Sequence, residues 1–171
     1  DRSFLHATAL EEVLEIARSL QAEITDDVID KAFERWPEKI RTLDGQEIKE
    51  KLKSRRAKLV EYARFHHNYI NREVTVPGTN DDDKFEIELL PNDKMHVRVY
   101  HDKREKDYII YDHEIDGQIT KELRLFGLKK GDNFTINGNE KSSIKIRIVG
   151  GSGEDKLTNN SSSAKVIAYD K

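Results

Sequence analysis

The segment Leu123-Arg124-Leu125-Phe126-Gly127 runs through four loop residues to Asp132-Asn133-Phe134-Thr135, and the pattern returns 23 residues later. The second copy is Ile146-Arg147-Ile148-Val149-Gly150, four loop residues, then Asp155-Lys156-Leu157-Thr158. Arg, Gly, Asp and Thr repeat in place, and the apolar positions repeat in kind. Strand, glycine turn, aspartate and strand at a fixed offset is how stacked rungs are written, because each rung lays equivalent faces on its neighbour. Residues 123–137 and 146–160 are therefore expected to form a short β-solenoid or β-roll-like repeat. A β-sandwich carrying a coincidental repeat is the rival arrangement. Val97-Arg98-Val99-Tyr100 reads as a weaker earlier copy that lacks the glycine.

A change of hydrophobic period divides the chain into a helical unit over residues 1–72 and a β-rich domain over 73–171, an α+β fold class. Three helices are expected in the first part. Thr8 and Glu11 make a capping box ahead of Leu10, Val13, Leu14, Ala17 and Leu20. Thr25-Asp26-Asp27 opens a second helix, stopped by Pro37. A long third begins after Asp44, with a stripe through Ile48, Leu52, Leu59, Ala63, His66 and Ile70. After Arg72 the period falls to 2, in alternating runs such as Val74-Val76, Phe85-Ile87-Leu89, Met95-Val97-Val99 and Ile144-Ile146-Ile148. Pro77-Gly78-Thr79-Asn80 reads as a break, and Asp81-Asp82-Asp83 as an exposed connector.

Composition removes several function classes. A net charge of −3 in 171 residues gives no reason to expect a nucleic-acid or anionic-membrane partner. The absence of cysteine excludes disulfides, thiolate zinc ligands and a cysteine nucleophile. No apolar run approaches membrane-helix length, so direct membrane insertion by this chain is not expected. Because the sequence begins at Asp1 rather than Met, it is expected to be a piece of a longer protein. No G-x-S-x-G, H-E-x-x-H, P-loop or dinucleotide fingerprint occurs, and the chain is read as non-enzymatic.

The sharpest candidate for ligand chemistry is Gly150-Gly151-Ser152-Gly153-Glu154-Asp155-Lys156-Leu157-Thr158, which fits the G-G-x-G-x-D-x-U-x nonapeptide of calcium-binding β-rolls. Glycines let carbonyls turn toward an ion and aspartate adds charged oxygen, so Asp132, Asp155, Gly150, Gly151 and Gly153 are the candidate calcium-binding residues. Against calcium, the partner turn carries Lys129 and Lys130 where the ion would lie, and one motif supplies about half of the six or more oxygens required. Local capping of each turn by Asp132 and Asp155 is the plainer reading. His66-His67 point about 100° apart on a helix and are not expected to ligate together; His66 is expected to pack against the β half. The basic run from Lys49 to Lys58 reads as a solvated helix face, with Arg55 or Arg56 tied to an acidic partner such as the Asp81–Asp83 loop.

Lys121 through Leu128, Gly131 through Phe134, and Ile144 through Asp155 together resemble a region of large envelope proteins from Bacteroidetes-type bacteria. Leu52 through Arg56, Leu59, Arg72 through Val74, and Gly78-Thr79 are similar to the helical lead-in of the same family. In that family the region lies between a metallophosphoesterase-like domain, in some members, and a surface-antigen type outer-membrane β-barrel. The resemblance implies a periplasmic or outer-membrane-associated location and a membrane-anchored parent. It transfers no functional residues, since none is established for this region and the phosphoesterase motifs do not occur here. The expectation is a non-catalytic spacer or interaction module with a protein or envelope component as partner. A calcium-stabilised β-roll-like binding domain and an accessory lobe of a phosphoesterase-containing protein are the alternatives.

Overall fold

A computed structural model describes residues 8–102 and 108–169 and gives them an α+β fold of four helices and two β-sheets. The chain divides into two compact units, Thr8–Tyr69 and the β-rich part from Ile70 onward.

The helical unit holds α1 (Leu10–Glu23), α2 (Asp26–Glu34), α3 (Glu38–Ala57) and α4 (Leu59–Ile70). Thr25 caps α2 as expected, its hydroxyl accepting the Val28 N–H at 3.2 Å. The Thr8 capping box does not form; Ala9 is the N-cap of α1 and offers no side-chain acceptor. Among the described residues, four helices replace the expected three. The third starts at Glu38, directly after Pro37, and passes through Gly45, which is buried with Arg41 and Phe33 against it. It ends at Ala57, short of the apolar stripe that runs on to Ile70, where Lys58 bonds back to Arg55 in a tighter turn at 3.1 Å. The carbonyls released there are taken by Gln21 of α1, whose Nε2 donates to Arg56 at 2.8 Å and Ala57 at 3.0 Å. A side chain distant in sequence thus supports the break between α3 and α4. Leu14, Ala17, Ile29 and Phe33 form the small apolar core of this unit. Among the described residues, no helix is long and apolar enough to cross a membrane.

Nine strands follow: β1 (Glu73–Pro77), β2 (Asp83–Leu90), β3 (Lys94–His101), β4 (Ile109–Asp116), β5 (Glu122–Lys129), β6 (Asn133–Asn137), β7 (Lys145–Ser152), β8 (Lys156–Asn159) and β9 (Lys165–Tyr169). One sheet has the order β1-β5-β7-β9 and is parallel throughout. The other has the order β4-β3-β2-β6-β8, antiparallel from β4 to β2 and parallel from β2 to β8. Alternate residues of both sheets enter one core, with Val74, Val76, Leu123, Leu125, Ile146 and Ile148 from the first and Phe85, Ile87, Phe134 and Ile136 from the second. Phe85 and Phe134 stack at 4.5 Å between ring centres in matching register.

The register exposes a third copy of the repeat. Val76 pairs with Leu125 and Leu125 with Ile148, while Phe85 pairs with Phe134 and Phe134 with Leu157. Val74-Thr75-Val76-Pro77-Gly78 followed by Asp83-Lys84-Phe85 is therefore equivalent to the two copies seen in sequence. The earlier copy is not Val97-Arg98-Val99-Tyr100, which lies in β3 and pairs antiparallel with β2 and β4. The β3–β4 excursion is inserted between β2 and β5, so the offset grows from 23 to 49 residues and the period is broken.

Candidate functional site

Three corners, Gly78 to Asp83, Gly127 to Asp132 and Gly150 to Asp155, join the strands of one sheet to those of the other. Their aspartates form a ladder. The backbone N–H of Asp83 donates to Asp132 Oδ1 at 2.8 Å, and the backbone N–H of Asp132 donates to Asp155 Oδ1 at 2.9 Å. The Asp83 carboxylate is held within its own corner by the Thr79 N–H at 2.5 Å and hydroxyl at 3.2 Å. Asp82 extends the pattern, its Oδ1 accepting the Gly131 N–H at 3.1 Å. The expected local capping by Asp132 and Asp155 is thereby corrected. Each carboxylate reaches back to a neighbouring corner, because parallel stacking aims its oxygen at the amide of the corner beside it.

Asp83 and Asp132 are fully buried. Each aspartate lies against the glycine that opens its own corner. A Cβ on Gly127 would stand 2.1 Å from Asp132 Oδ2, and one on Gly150 would stand 2.1 Å from Asp155 Oδ2. Burial, reinforced by repulsion from Asp83, Asp155 and Asp82, pushes the Asp132 carboxyl up to about 7 against the pull of the Asp83 N–H.

Asp132 and Asp155 are thus brought into one ladder, with Gly150 against Asp155. Gly151 and Gly153 serve the backbone. Both have positive φ, and a Cβ there would strike the carbonyls of Leu128 at 2.3 Å and Lys130 at 1.7 Å. Leu128 and Lys130 turn with positive φ too, so the lysine-bearing corner keeps the shape of the glycine-rich one. One Oδ of each aspartate accepts an amide and the other faces a glycine. Among the described residues, no group of three or more His, Asp or Glu side chains is placed to hold a metal ion. Asp83 and Gly78 belong to the ladder and were missed in sequence, although the glycine-to-aspartate spacing of the other two corners recurs at 78–83.

The outer sheet faces carry ordered charge. Glu122 accepts from Arg147 Nε at 2.7 Å and Arg124 Nε at 2.8 Å, and this pair of guanidinium groups lowers its carboxyl to about 2. Arg124 also pairs with Glu73 at 3.0 Å, and Arg147 reaches the Tyr169 hydroxyl at 2.9 Å. These are the arginines that repeat in sequence. On the other sheet, Asp112 receives His96 Nε2 at 2.5 Å and Arg98 Nε at 3.2 Å, while the Tyr100 hydroxyl donates to Glu86 at 2.5 Å. Desolvation, assisted by Glu86, raises Tyr100 to about 12. Such cross-strand pairs order a sheet surface.

His67, not His66, is the buried histidine of α4, with Nε2 at 3.1 Å from the Thr8 carbonyl oxygen. His66 is exposed. Arg56 finds its acid within the helical unit, at Asp26 (2.7 Å), rather than in the Asp81–Asp83 loop. No known protein family, curated protein or solved structure matches this chain.

Proposed function

We propose that this chain is a non-catalytic spacer or interaction module, made of a helical unit and a β-rich unit in which three glycine–aspartate rungs form a short β-solenoid. The observation that carries this reading is the ladder from Asp155 through Asp132 to Asp83. The carboxylates best suited to ligand chemistry by sequence are engaged in holding one corner on the next. The all-parallel sheet and the matched core rows support a stack whose length is set by rung number. The resemblance to envelope proteins supports a place for the module between larger domains of a periplasmic or outer-membrane-associated parent.

A calcium-stabilised roll is the second reading, favoured by the buried Oδ2 atoms of Asp132 and Asp155, which have no hydrogen-bond partner. Calorimetric titration with Ca²⁺, paired with thermal melts in chelator, separates the two. The spacer reading expects no heat of binding and an unchanged melting temperature. A saturable heat with a melting temperature that rises with Ca²⁺ would replace it with the calcium reading.

A further inference from the structure

We propose that a groove in the helical unit binds an amphipathic helix of a partner protein, one that carries an acidic residue beside its apolar stripe. This rests on the interaction-module reading above and names the kind of partner. The groove has a volume of about 590 Å³. Its floor is Ile29, buried, and its walls are Ile24, Leu52, Leu59 and Tyr62, with Arg55 and Arg56 alongside. Tyr62 continues the apolar surface along α4. Tyr62, Phe65 and Tyr69 fall on one helical face, and Phe65 and Tyr69 stack at 6.4 Å while 70% and 64% exposed. Exposed aromatic side chains beside a concave apolar groove are the kind of anchors that dominate interface energetics.

The charges select the partner. Lys49 is paired with Asp30 at 2.8 Å, and Lys53 with Asp26 at 2.9 Å. Arg56 is held by Asp26 and by the Ile24 carbonyl at 2.8 Å. The guanidinium of Arg55, beside the groove, has no ion pair or hydrogen bond among the described residues. A guanidinium left without a carboxylate next to an apolar groove complements a helix that fills the groove at i, i+3, i+4 and i+7 and offers Asp or Glu on its flank. An anionic membrane is the poorer fit. Acidic and basic residues nearly balance between Thr8 and Tyr69, and a bilayer surface does not fill a concavity.

The test is selection of a phage-displayed library of helix-forming peptides against the full chain. Selected peptides are then measured against Arg55→Glu and Tyr62→Ser, whose folding is checked by circular dichroism. Enriched peptides are expected to carry apolar residues at helical spacing with a flanking Asp or Glu. Arg55→Glu should weaken them about tenfold or more, and replacing the peptide's acid by Lys should restore binding to that variant. The proposal is overturned if no helical peptide is enriched, or if binding is indifferent to both substitutions. It is equally overturned if the patch instead drives self-association of the chain or adsorption to phosphatidylglycerol vesicles. Any such failure leaves the calcium titration, and with it the non-catalytic reading, untouched.

Discussion

The carboxylate of Asp132 accepts the backbone N–H of Asp83 at 2.8 Å across 49 residues of sequence, with both residues fully buried. The same bond recurs from Asp132 to Asp155 at 2.9 Å, across 23 residues. A buried amide in a sharp corner cannot join the strand ladder, and burial without a partner is costly. One aspartate per corner solves this for the corner beside it, so the ladder ties together corners that the intervening β3–β4 excursion separates in sequence.

Removing Asp132 should therefore orphan a donor in the neighbouring corner. Asp132→Ala is expected to destabilise the β-rich unit by about 1–3 kcal/mol, the cost of a buried unsatisfied group. Asp132→Asn keeps an oxygen acceptor and should cost less. Hydrogen exchange locates the effect: in Asp132→Ala the Asp83 amide should exchange faster, with the Asp155 amide little altered. Equal stability of the two variants in urea titrations would contradict the ladder's role.

The same carboxyl gives the fold a pH dependence. Asp132 is raised from an ordinary 3.8 to about 7, chiefly by burial, so the native state keeps a proton that the unfolded chain has released. Stability from this group is fully present below pH about 4 and is lost as pH rises through about 7. The effect is on the order of a few kcal/mol. Urea midpoints should fall between pH 5 and pH 8 in the native sequence and change less in Asp132→Asn. Parallel pH profiles would show that Asp132 ionises normally.

Glycines 127 and 150 are required by closeness of approach. Alanine at either would put a methyl carbon 2.1 Å from the carboxylate of its own corner, and at Gly127 also 2.4 Å from the Gly150 carbonyl. At Gly127 backbone lies on one side, so the clash there cannot be relieved by a rotamer change. Gly127→Ala is expected to cost 3 kcal/mol or more, beyond the usual range of about 1–3 kcal/mol for overpacking. Gly45→Ala is the control. Its Cβ would meet Arg41 Cγ at 3.4 Å inside a helix, so replacement should stabilise by up to about 1 kcal/mol. Thermal melts of both variants decide the matter.

Glu122 responds to acid in the opposite sense. Arg147 and Arg124 hold it at about 2 against an ordinary 4.5, so its contribution is present above pH 4.5 and lost as pH falls toward 2. Glu122→Gln should lower stability at neutral pH by on the order of 1 kcal/mol, as expected for a partly exposed network. It should also flatten the acid limb of the stability profile. A variant as acid-sensitive as the native chain would place the response elsewhere.

Much of the β fold is legible in sequence because alternation survives wherever one face of a strand is buried. Val74-Val76, Phe85-Leu89 and Met95-Val99 each lie within a strand, and Ile144-Ile148 overlaps β7 from Lys145 onward. The two parallel copies at 123–137 and 146–160 are legible because nothing is inserted between them. The first copy is hidden by the β3–β4 insertion, and Asp83 by its place in an acidic run that reads as solvated although the residue is buried. The helix break at Lys58 depends on Gln21, a tertiary partner that no local pattern announces. His66 and His67 are adjacent, and which one turns inward follows from helix packing rather than residue type. The candidate site was half legible: Asp132 and Asp155 carried a signal, and their reach into neighbouring corners did not.

Lys130 offers a last check on the equivalence of the corners. Its φ is 70°, in the left-handed region that a side chain disfavours by roughly 1–2 kcal/mol, and Gly153 takes positive φ in the following corner. Leu128, at φ 79°, stands opposite Gly151 in the same way. Both side chains are exposed, so their removal forfeits little packing. Lys130→Gly relieves backbone strain but gives the unfolded chain more freedom, which offsets part of the gain. The expected net effect is a stabilisation of a few tenths to about 1 kcal/mol, with Leu128→Gly behaving alike. Alanine at Lys130 keeps the strained backbone and should give no such gain. A loss of stability in both glycine variants, measured by urea unfolding, would mean that the Gly127–Asp132 corner uses its side chains in a way its neighbour does not.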